Sequence, residues 1–479
     1  MSLIKDNGVV YTPKTIVRKI LDFSGYYGEE ILGKHVIDNA SGEGAFLVEV
    51  VKRYANEYLK KHHGLKAREG LKKDLETFIH GIEIDPTSKE RCVSNLNEVV
   101  SNYGISNVDF DVLNENTLNV TKYNGKMDFV IGNPPYVRIH NLKDNLFGIK
   151  KRKFSSFGMT DLFIAFYELG LEMLNEKGVL SYITPSSVFT SVAAKAFRSH
   201  IIKGKLLTGV INLEHFKVFD KISTYTCILK LQKQNKEGEI DYYEYDSSTS
   251  DHRFIDVLPY KLFYIKENFY FGQKDALKDF IKIARIDTVD SEIEVKNGFA
   301  TLADSVFISD DFGFESRFIR PVLKGSKGKW RKMIFPYDEN LNIVNFEDFE
   351  ENLKKYLLSH KEKLLARATD KNTPWYGFGR SQGVKDFYKH KISINTTVKK
   401  KEDLKIIRVK EGEGVYSGLY IISKYKIDEI KKHLLSYDFL NYIKAIGKYK
   451  SGGYYTFSTS DLKKYLIHET KSVIGIDTF

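Results

Sequence analysis

The stretch Met127-Asp-Phe-Val-Ile-Gly-Asn-Pro-Pro-Tyr136 decides the reading of this chain. Phe129-Val130-Ile131 is the short apolar run of a buried parallel strand. Gly132 breaks it, and Asn133-Pro134-Pro135-Tyr136 follows where a strand hands over to a loop. Two successive prolines fix φ and remove two backbone donors, so the turn is stiff and its carbonyls are free to accept. An amide, a rigid carbonyl and an aromatic ring then share one corner, which suits gripping a planar amine-bearing group. A chance strand-ending turn could carry the same four residues, so the neighbouring motifs must decide.

Working backwards, Phe78-Ile-His-Gly-Ile-Glu-Ile-Asp85 reads as a strand with Glu83 near its end, where a carboxylate can accept both hydroxyls of a ribose. Pro86 then starts a helix. Further upstream, the strand His35-Val-Ile-Asp38 runs into Asn39-Ala-Ser-Gly-Glu-Gly-Ala-Phe-Leu47 and an amphipathic helix to about Lys61. A strand, a small-residue turn with Gly42 and Gly44, and a helix form the nucleotide cradle of open α/β sheets. Leu47 stands where the dinucleotide fingerprint has its third glycine, and Asp38 suits a cationic amine better than a pyrophosphate. Thr12-Pro13 opens a helix through Phe23, and a Thr hydroxyl with free N–H groups there can hold a carboxylate, though a plain cap has the same sequence. A polar Lys/Glu-rich helical insertion, roughly Tyr58–Glu76, must loop out for the βαβ unit to hold. The strand Asn107–Leu113 ends in Asn114-Glu-Asn-Thr-Leu118, giving four strand ends in series, where ligands of such sheets bind.

The totals agree with an α/β enzyme that meets a polyanion. The 479 residues suggest two or three domains. Lys+Arg 74 against Asp+Glu 63 leaves +11, which favours a polyanionic partner over a merely solvated surface. Thirty Tyr and 32 Phe beside basic residues suit base stacking as well as core packing. Cys92 and Cys227 lie in apolar contexts and read as buried thiols, with no disulfide frame or metal cluster. The absence of a signal-peptide core and of a membrane-length apolar run leads us to expect a cytoplasmic protein with no membrane partner.

Thr-Pro before a helix, Asp-x-Ala-x-Gly-x-Gly-x-Phe, Gly-x-Glu-x-Asp and Asn-Pro-Pro-Tyr occur here in one order. The set resembles the S-adenosylmethionine-dependent DNA adenine-N6 methyltransferases of restriction–modification systems in the gamma arrangement, most strongly over Gly8–Gln232. The resemblance implies a Rossmann-like α/β methyltransferase domain, residues 1–235, and a C-terminal mixed α+β target-recognition domain, residues 236–479. It also implies S-adenosyl-L-methionine as cofactor, double-stranded DNA as partner, and a separate cognate restriction endonuclease. By the same resemblance Asn133, Pro134 and Tyr136 are catalytic. Thr12, Asp38, Ala40, Gly42, Glu83, Asn116, Asn133 and Phe166 would line the cofactor, with Asn116 standing where the family usually has Asp. Tyr136 and Phe219 would stack on the target base. Phe219 sits in a polar loop, Phe216-Lys-Val-Phe-Asp-Lys-Ile-Ser-Thr-Tyr-Thr226, which argues against a purely core role. For DNA contact we expect Lys151 and Arg152 in the basic loop after the catalytic turn. In the aromatic C-terminal half we expect Trp375, Tyr376, Arg380 and Tyr454.

Other readings share parts of this pattern. The same tetrapeptide serves protein-glutamine methylation, but those enzymes would not need so long a basic, aromatic C-terminal half. Methylation of RNA adenine or guanine fits the charge. Cytosine-N4 is compatible, although Ser more often leads that tetrapeptide. A catalytically silent DNA-specificity module would not need intact cofactor and catalytic motifs.

Overall fold

A computed structural model describes residues 12–137, 149, 152–155, 161–219, 224–235, 237–246, 249, 251–289 and 291–473. The chain divides into two compact units, Met1–Leu277 and Lys278–Phe479.

The first unit is built on one nine-stranded sheet. Its strands are β1 (Val36–Asp38), β2 (Ile79–Glu83), β3 (Asp111–Asn114), β4 (Met127–Gly132), β5 (Leu174–Pro185), β6 (Leu207–Asn212), β7 (Thr226–Gln232), β8 (Glu239–Asp246) and β9 (Asp251–Pro259). They lie in the order β3-β2-β1-β4-β5-β7-β6-β8-β9. The five from β3 to β5 are parallel, and β7 runs antiparallel to both β5 and β6. Strand order reverses between β1 and β4, which pair as Val36↔Phe129 and Asp38↔Ile131. At such a switch point the crossover connections leave to opposite faces and open a crevice at the carboxyl ends.

Alternation along the strands divides the apolar residues between two cores. Val36, Ile131, Ile183, Ile211 and Ile228 face one side, which is covered by α1 (Lys14–Ser24), α2 (Ala45–Lys61), α3 (Leu65–Phe78) and α4 (Pro86–Ser101). Helix α1 turns Ile16, Val17, Ile20 and Leu21 inward, each removed from water at ~1.5–3 kcal/mol as an upper bound. Ile37, Val130, Tyr182, Val210 and Leu229 face the other side, covered by α5 (Leu162–Met173) and α6 (Lys195–Lys203). Helix α5 is apolar almost all round, as a helix buried on most of its circumference must be.

The first unit runs past the expected boundary at residues 235/236. Strand β8 pairs with β6 in parallel (Gly209↔Asp241), and β9 returns antiparallel to it (Ile240↔Leu258). Ile240, Tyr242 and Leu258 are buried in the first unit's core. The polar segment between β7 and β8 therefore joins two strands of one sheet rather than two units.

The second unit is mixed α+β. One four-stranded sheet has the order Glu294–Asn297, Leu419–Ile422, Lys391–Ile394, Ile406–Val409; another has Ile308–Ser309, Lys329–Ile334, Ile319–Lys324, Gly414–Tyr416. Its core is rich in rings, with Phe335 stacked on Phe387 at 3.9 Å. Cys92 and Cys227 are free, buried thiols, and burial pushes Cys92 up to about 12. Among the described residues no helix is long and apolar enough to cross a membrane.

Candidate active site

The switch point between β1 and β4 is organised around one carboxyl group. Asp38 ends β1 and is 1% exposed. Its Oδ1 accepts the Ala40 N–H at 3.1 Å. Burial pushes its pKa up to about 7, opposed by the Ala40 bond and reinforced by the Glu83 carboxylate. An acid held this way gains strongly from a cation placed beside it. Gly132, the last residue of β4, is the residue that makes room: at φ 152 it lies so close that a Cβ would sit 2.6 Å from Asp38 Oδ1. The break in the apolar run at Gly132 therefore has a steric cause.

The cradle follows directly from β1. Gly42 adopts φ 52 with open space where its Cβ would be, and Gly44 at φ 88 starts α2. A Cβ on Gly44 would meet Cys92 Sγ at 2.8 Å, so α2 and α4 approach closely there. Leu47, in place of a third glycine, is buried and reaches within 3.0 Å of a Cβ built on Gly81. Glu83 ends β2. Its Oε2 accepts the Gly42 N–H at 2.8 Å and its Oε1 the Asp85 N–H at 2.9 Å, leaving each oxygen a further lone pair. These two bonds fix the carboxylate at the rim of the cradle, so it needs no rearrangement to accept hydroxyls.

The turn Asn133–Tyr136 leaves β4 beside this cradle. Asn133 Nδ2 donates to Thr12 Oγ1 at 3.1 Å, so the segment before α1 sets the rotation of the amide. Pro134 is buried. The Tyr136 hydroxyl donates to the Ile183 carbonyl at 3.1 Å, and burial raises its pKa well above the ordinary tyrosine range, so the ring is pinned to β5 as a neutral phenol. Phe163 and Phe219 meet the Tyr136 ring edge-on, with centroids at 6.4 Å and 6.1 Å. The Val137 carbonyl accepts the Leu162 N–H at 2.8 Å, tying the end of the turn to α5.

The structure thus brings Thr12, Asp38, Ala40, Gly42, Glu83, Asn133, Pro134 and Tyr136 to the carboxyl edge of the sheet. Asn116 lies just beyond β3 on the same edge, but its Oδ1 already accepts the Leu118 N–H at 3.1 Å. Phe166 is 6% exposed within the core that α5 covers. Phe219 lies against Tyr136 as expected, yet it is 4% exposed and packed into the core on the α1–α4 side. Its loop is polar in sequence, but Val218 and Phe219 are the residues that turn inward.

Several expected DNA contacts are used internally. Arg152 pairs with Glu172 of α5 at 3.3 Å and faces Glu168 at 3.9 Å. Tyr376 is buried in the second unit's core with its hydroxyl on the Val344 carbonyl, and Trp375 packs on Phe346. Arg380 pairs with Asp370 at 3.2 Å. Tyr454 is partly exposed in a hairpin opposite Lys450, and Lys151 lies outside the described residues.

Two residues at the edge escaped the sequence reading. Ile84 follows Glu83 and is 62% exposed, an apolar side chain left standing at the mouth of the cradle. The apolar letter directly after the strand-end acid was the available signal. Asn39 is 1% exposed, accepts the Tyr182 hydroxyl at 2.8 Å and offers its carbonyl to Thr117 Oγ1 at 2.7 Å, locking the β1 turn to β5 and the segment after β3. Its partners are too distant in sequence to have been inferred.

A parallel sheet reversing between β1 and β4, with an antiparallel β7 beside β5, is the architecture of S-adenosylmethionine-dependent methyltransferases. The residues present fit that cofactor: a buried acid that a cation would relieve, an open glycine turn, a fixed acceptor for hydroxyls and an exposed apolar side chain beside it. Residues 48–219 match the model of the Eco57I restriction-modification methylase family. The chain is 24% identical over 421 residues to the Type II methyltransferase M.BstVI of Geobacillus stearothermophilus, covering 77% of this chain and 74% of that protein. It is 23% identical over 482 residues to the Type II restriction enzyme and methyltransferase RM.Eco57I of Escherichia coli, covering 80% of this chain but 48% of that protein. In fold it is similar to the Type IIL restriction-modification enzyme MmeI, solved in complex with DNA, with a TM-score of 0.62 at 16% identity over 93% of this chain and 63% of that one. The chain is thus similar to methyltransferases of restriction–modification systems.

Proposed function

We propose that this chain methylates N6 of an adenine flipped out of duplex DNA at a specific site, as the modification arm of a restriction–modification system. The observation that carries the reading is the placement of Asn133-Pro134-Pro135-Tyr136 at the switch point, beside the buried Asp38. When bound, S-adenosylmethionine supplies a methyl group already activated on a sulfonium. The protein's task is then to hold the acceptor nitrogen in line.

Adenine N6 is a poor nucleophile because its lone pair is delocalised into the ring. Asn133 Oδ1 and the Pro134 carbonyl accept its two N–H bonds, which favours a more tetrahedral nitrogen with a localised pair. The Thr12 contact orients the amide by its nitrogen end. Tyr136, fixed by its bond to Ile183, offers a ring for stacking, and Phe219 braces that ring from the side. Asp38 holds the cationic end of the cofactor, Glu83 its ribose hydroxyls, and Ile84 and Phe166 its adenine. No strong base is needed before attack, since a proton can leave afterwards. Such a grip cannot reach a base inside a duplex, so the target must leave the stack at a cost of a few kcal/mol. The second unit serves as the target-recognition domain.

The test is incubation with tritiated S-adenosylmethionine, offering duplex DNA and RNA separately, then nucleoside analysis. Label in N6-methyldeoxyadenosine is the expected result. Label in N4-methyldeoxycytidine or only in RNA overturns the assignment of the base or of the nucleic acid.

A further inference from the structure

The second unit contains a cavity of about 390 Å³ whose wall includes Lys296, Arg380, Gln382, Lys385 and the carboxylates Asp370 and Asp386. From the geometry we infer that the short loop Ser381–Lys385 on its rim is a base-reading element, with Gln382 contacting an adenine edge in the major groove and Lys385 the adjacent phosphate. The inference rests on the proposed action on DNA.

The loop is held rigidly from both ends. Before it, Arg380 N–H donates to the Ala300 carbonyl at 3.0 Å and Gly379 N–H to the Thr301 carbonyl at 3.1 Å. Asp370 Oδ2 accepts the Ser381 N–H at 2.9 Å, while Asp370 Oδ1 takes Arg380 at 3.2 Å. After it, Asp386 is 1% exposed and takes Lys296 at 2.8 Å, Lys389 at 2.9 Å and the Tyr420 hydroxyl at 2.9 Å. Lys391, 4% exposed, donates to the carbonyls of Asp386, Phe387 and Lys389 at 2.8, 3.0 and 2.8 Å. Burying a carboxylate and an ammonium is costly, and apolar residues of similar volume commonly serve stability as well. What this arrangement supplies is a fixed backbone, which is what selective recognition requires.

The side chains of the loop divide cleanly. Val384 and Phe387 are buried anchors, and Gly383 at φ 88 reverses the chain above Phe299. Gln382 and Lys385 are left exposed. Lys385 makes no ion pair among the described residues, whereas Lys296 and Arg380 on the same wall are both paired. A glutamine amide can bond adenine N6 and N7 together, and an unpaired lysine suits a phosphate. Both side chains are exposed, so both can be changed with little effect on the fold.

The experiment expresses the full chain, wild type or variant, in a methylation-free host and reads the methylated motif by single-molecule sequencing. Gln382→Ala should leave DNA methylated but make one adenine of the wild-type motif degenerate, with roughly 5- to 150-fold lower discrimination there. Gln382→Glu should shift that position towards cytosine, whose N4 amino group a carboxylate accepts. Lys385→Ala should keep the motif, weaken DNA binding and lower the slope of log K against log salt by about 1. An unchanged motif in both Gln382 variants overturns the inference, and so does a uniform fall in methylation without a change of motif. Wild-type DNA lacking N6-methyladenine would instead defeat the proposed function, and this inference with it.

Discussion

Cofactor binding should depend on pH through Asp38 in a direction opposite to that of the cofactor's own amine. In the free protein the buried carboxyl titrates at about 7, with burial as the main cause and Glu83 adding to it. The bound cation requires the ionised form, so binding must first remove a proton at lower pH. For a group at about 7, roughly one molecule in eleven is ionised at pH 6 and about ten in eleven at pH 8. Asp38 alone would therefore weaken S-adenosylmethionine binding about tenfold at pH 6 relative to pH 8, and partial deprotonation of the ligand's amine at pH 8 reduces the net change to roughly three- to fivefold. The α-amino group of the ligand is more fully protonated at pH 6, so it cannot produce a loss in that direction. Isothermal titration across this range would give the dependence, and Asp38→Asn should bind weakly and lose the rise in affinity between pH 6 and pH 8. An affinity independent of pH between 6 and 8 in the wild type would mean that Asp38 does not hold the cation as a titrating buried acid. The same linkage acts on stability. The folded value lies above the ordinary 3.8, so the contribution is fully present below pH 3.8 and is lost as pH rises through about 7. Ionisation then costs the unliganded protein on the order of 4 kcal/mol, which Asp38→Asn should recover.

Further outcomes follow from the same corner. Gly132→Ala should abolish cofactor binding and destabilise the protein by roughly 1–3 kcal/mol in urea titrations, because its Cβ would collide with Asp38 Oδ1 at a strained φ. Tyr136→Phe should retain stacking and most activity while losing about 0.5–1.5 kcal/mol of stability with the bond to Ile183. Tyr136→Ala should lose turnover on duplex DNA, and a 2-aminopurine placed at the target should no longer report extrusion by its fluorescence.

How much of this was legible beforehand depended on how local the cause was. The cradle, Asp38, Glu83 and the Asn133–Tyr136 turn each sit at the end of an apolar strand run, and their order is enough to place them on one edge. The contact that makes Gly132 necessary joins residues far apart in sequence, and only the β1–β4 register of Asp38↔Ile131 reveals it. Strand β8 was missed because the polar segment before it looked like a linker. The alternation of buried Ile240 and Tyr242 with more exposed Asp241 and Tyr243 was the period-two signal that could have found it. Chemical type points to Tyr376 and Arg380, but type does not say whether a ring packs inward or a cation finds a carboxylate. Ile84, an isolated aliphatic residue, says little in sequence until its exposure beside Glu83 is known.

The most direct test of the central claim compares wild type with Asn133→Ala, measuring S-adenosylmethionine affinity and methyl transfer to duplex DNA in the same preparations. The wild type should give N6-methyldeoxyadenosine, the variant at least about a 100-fold lower rate, and both a cofactor affinity within a few-fold. Comparable transfer by the variant, or label on another nucleoside with the wild type, would contradict it.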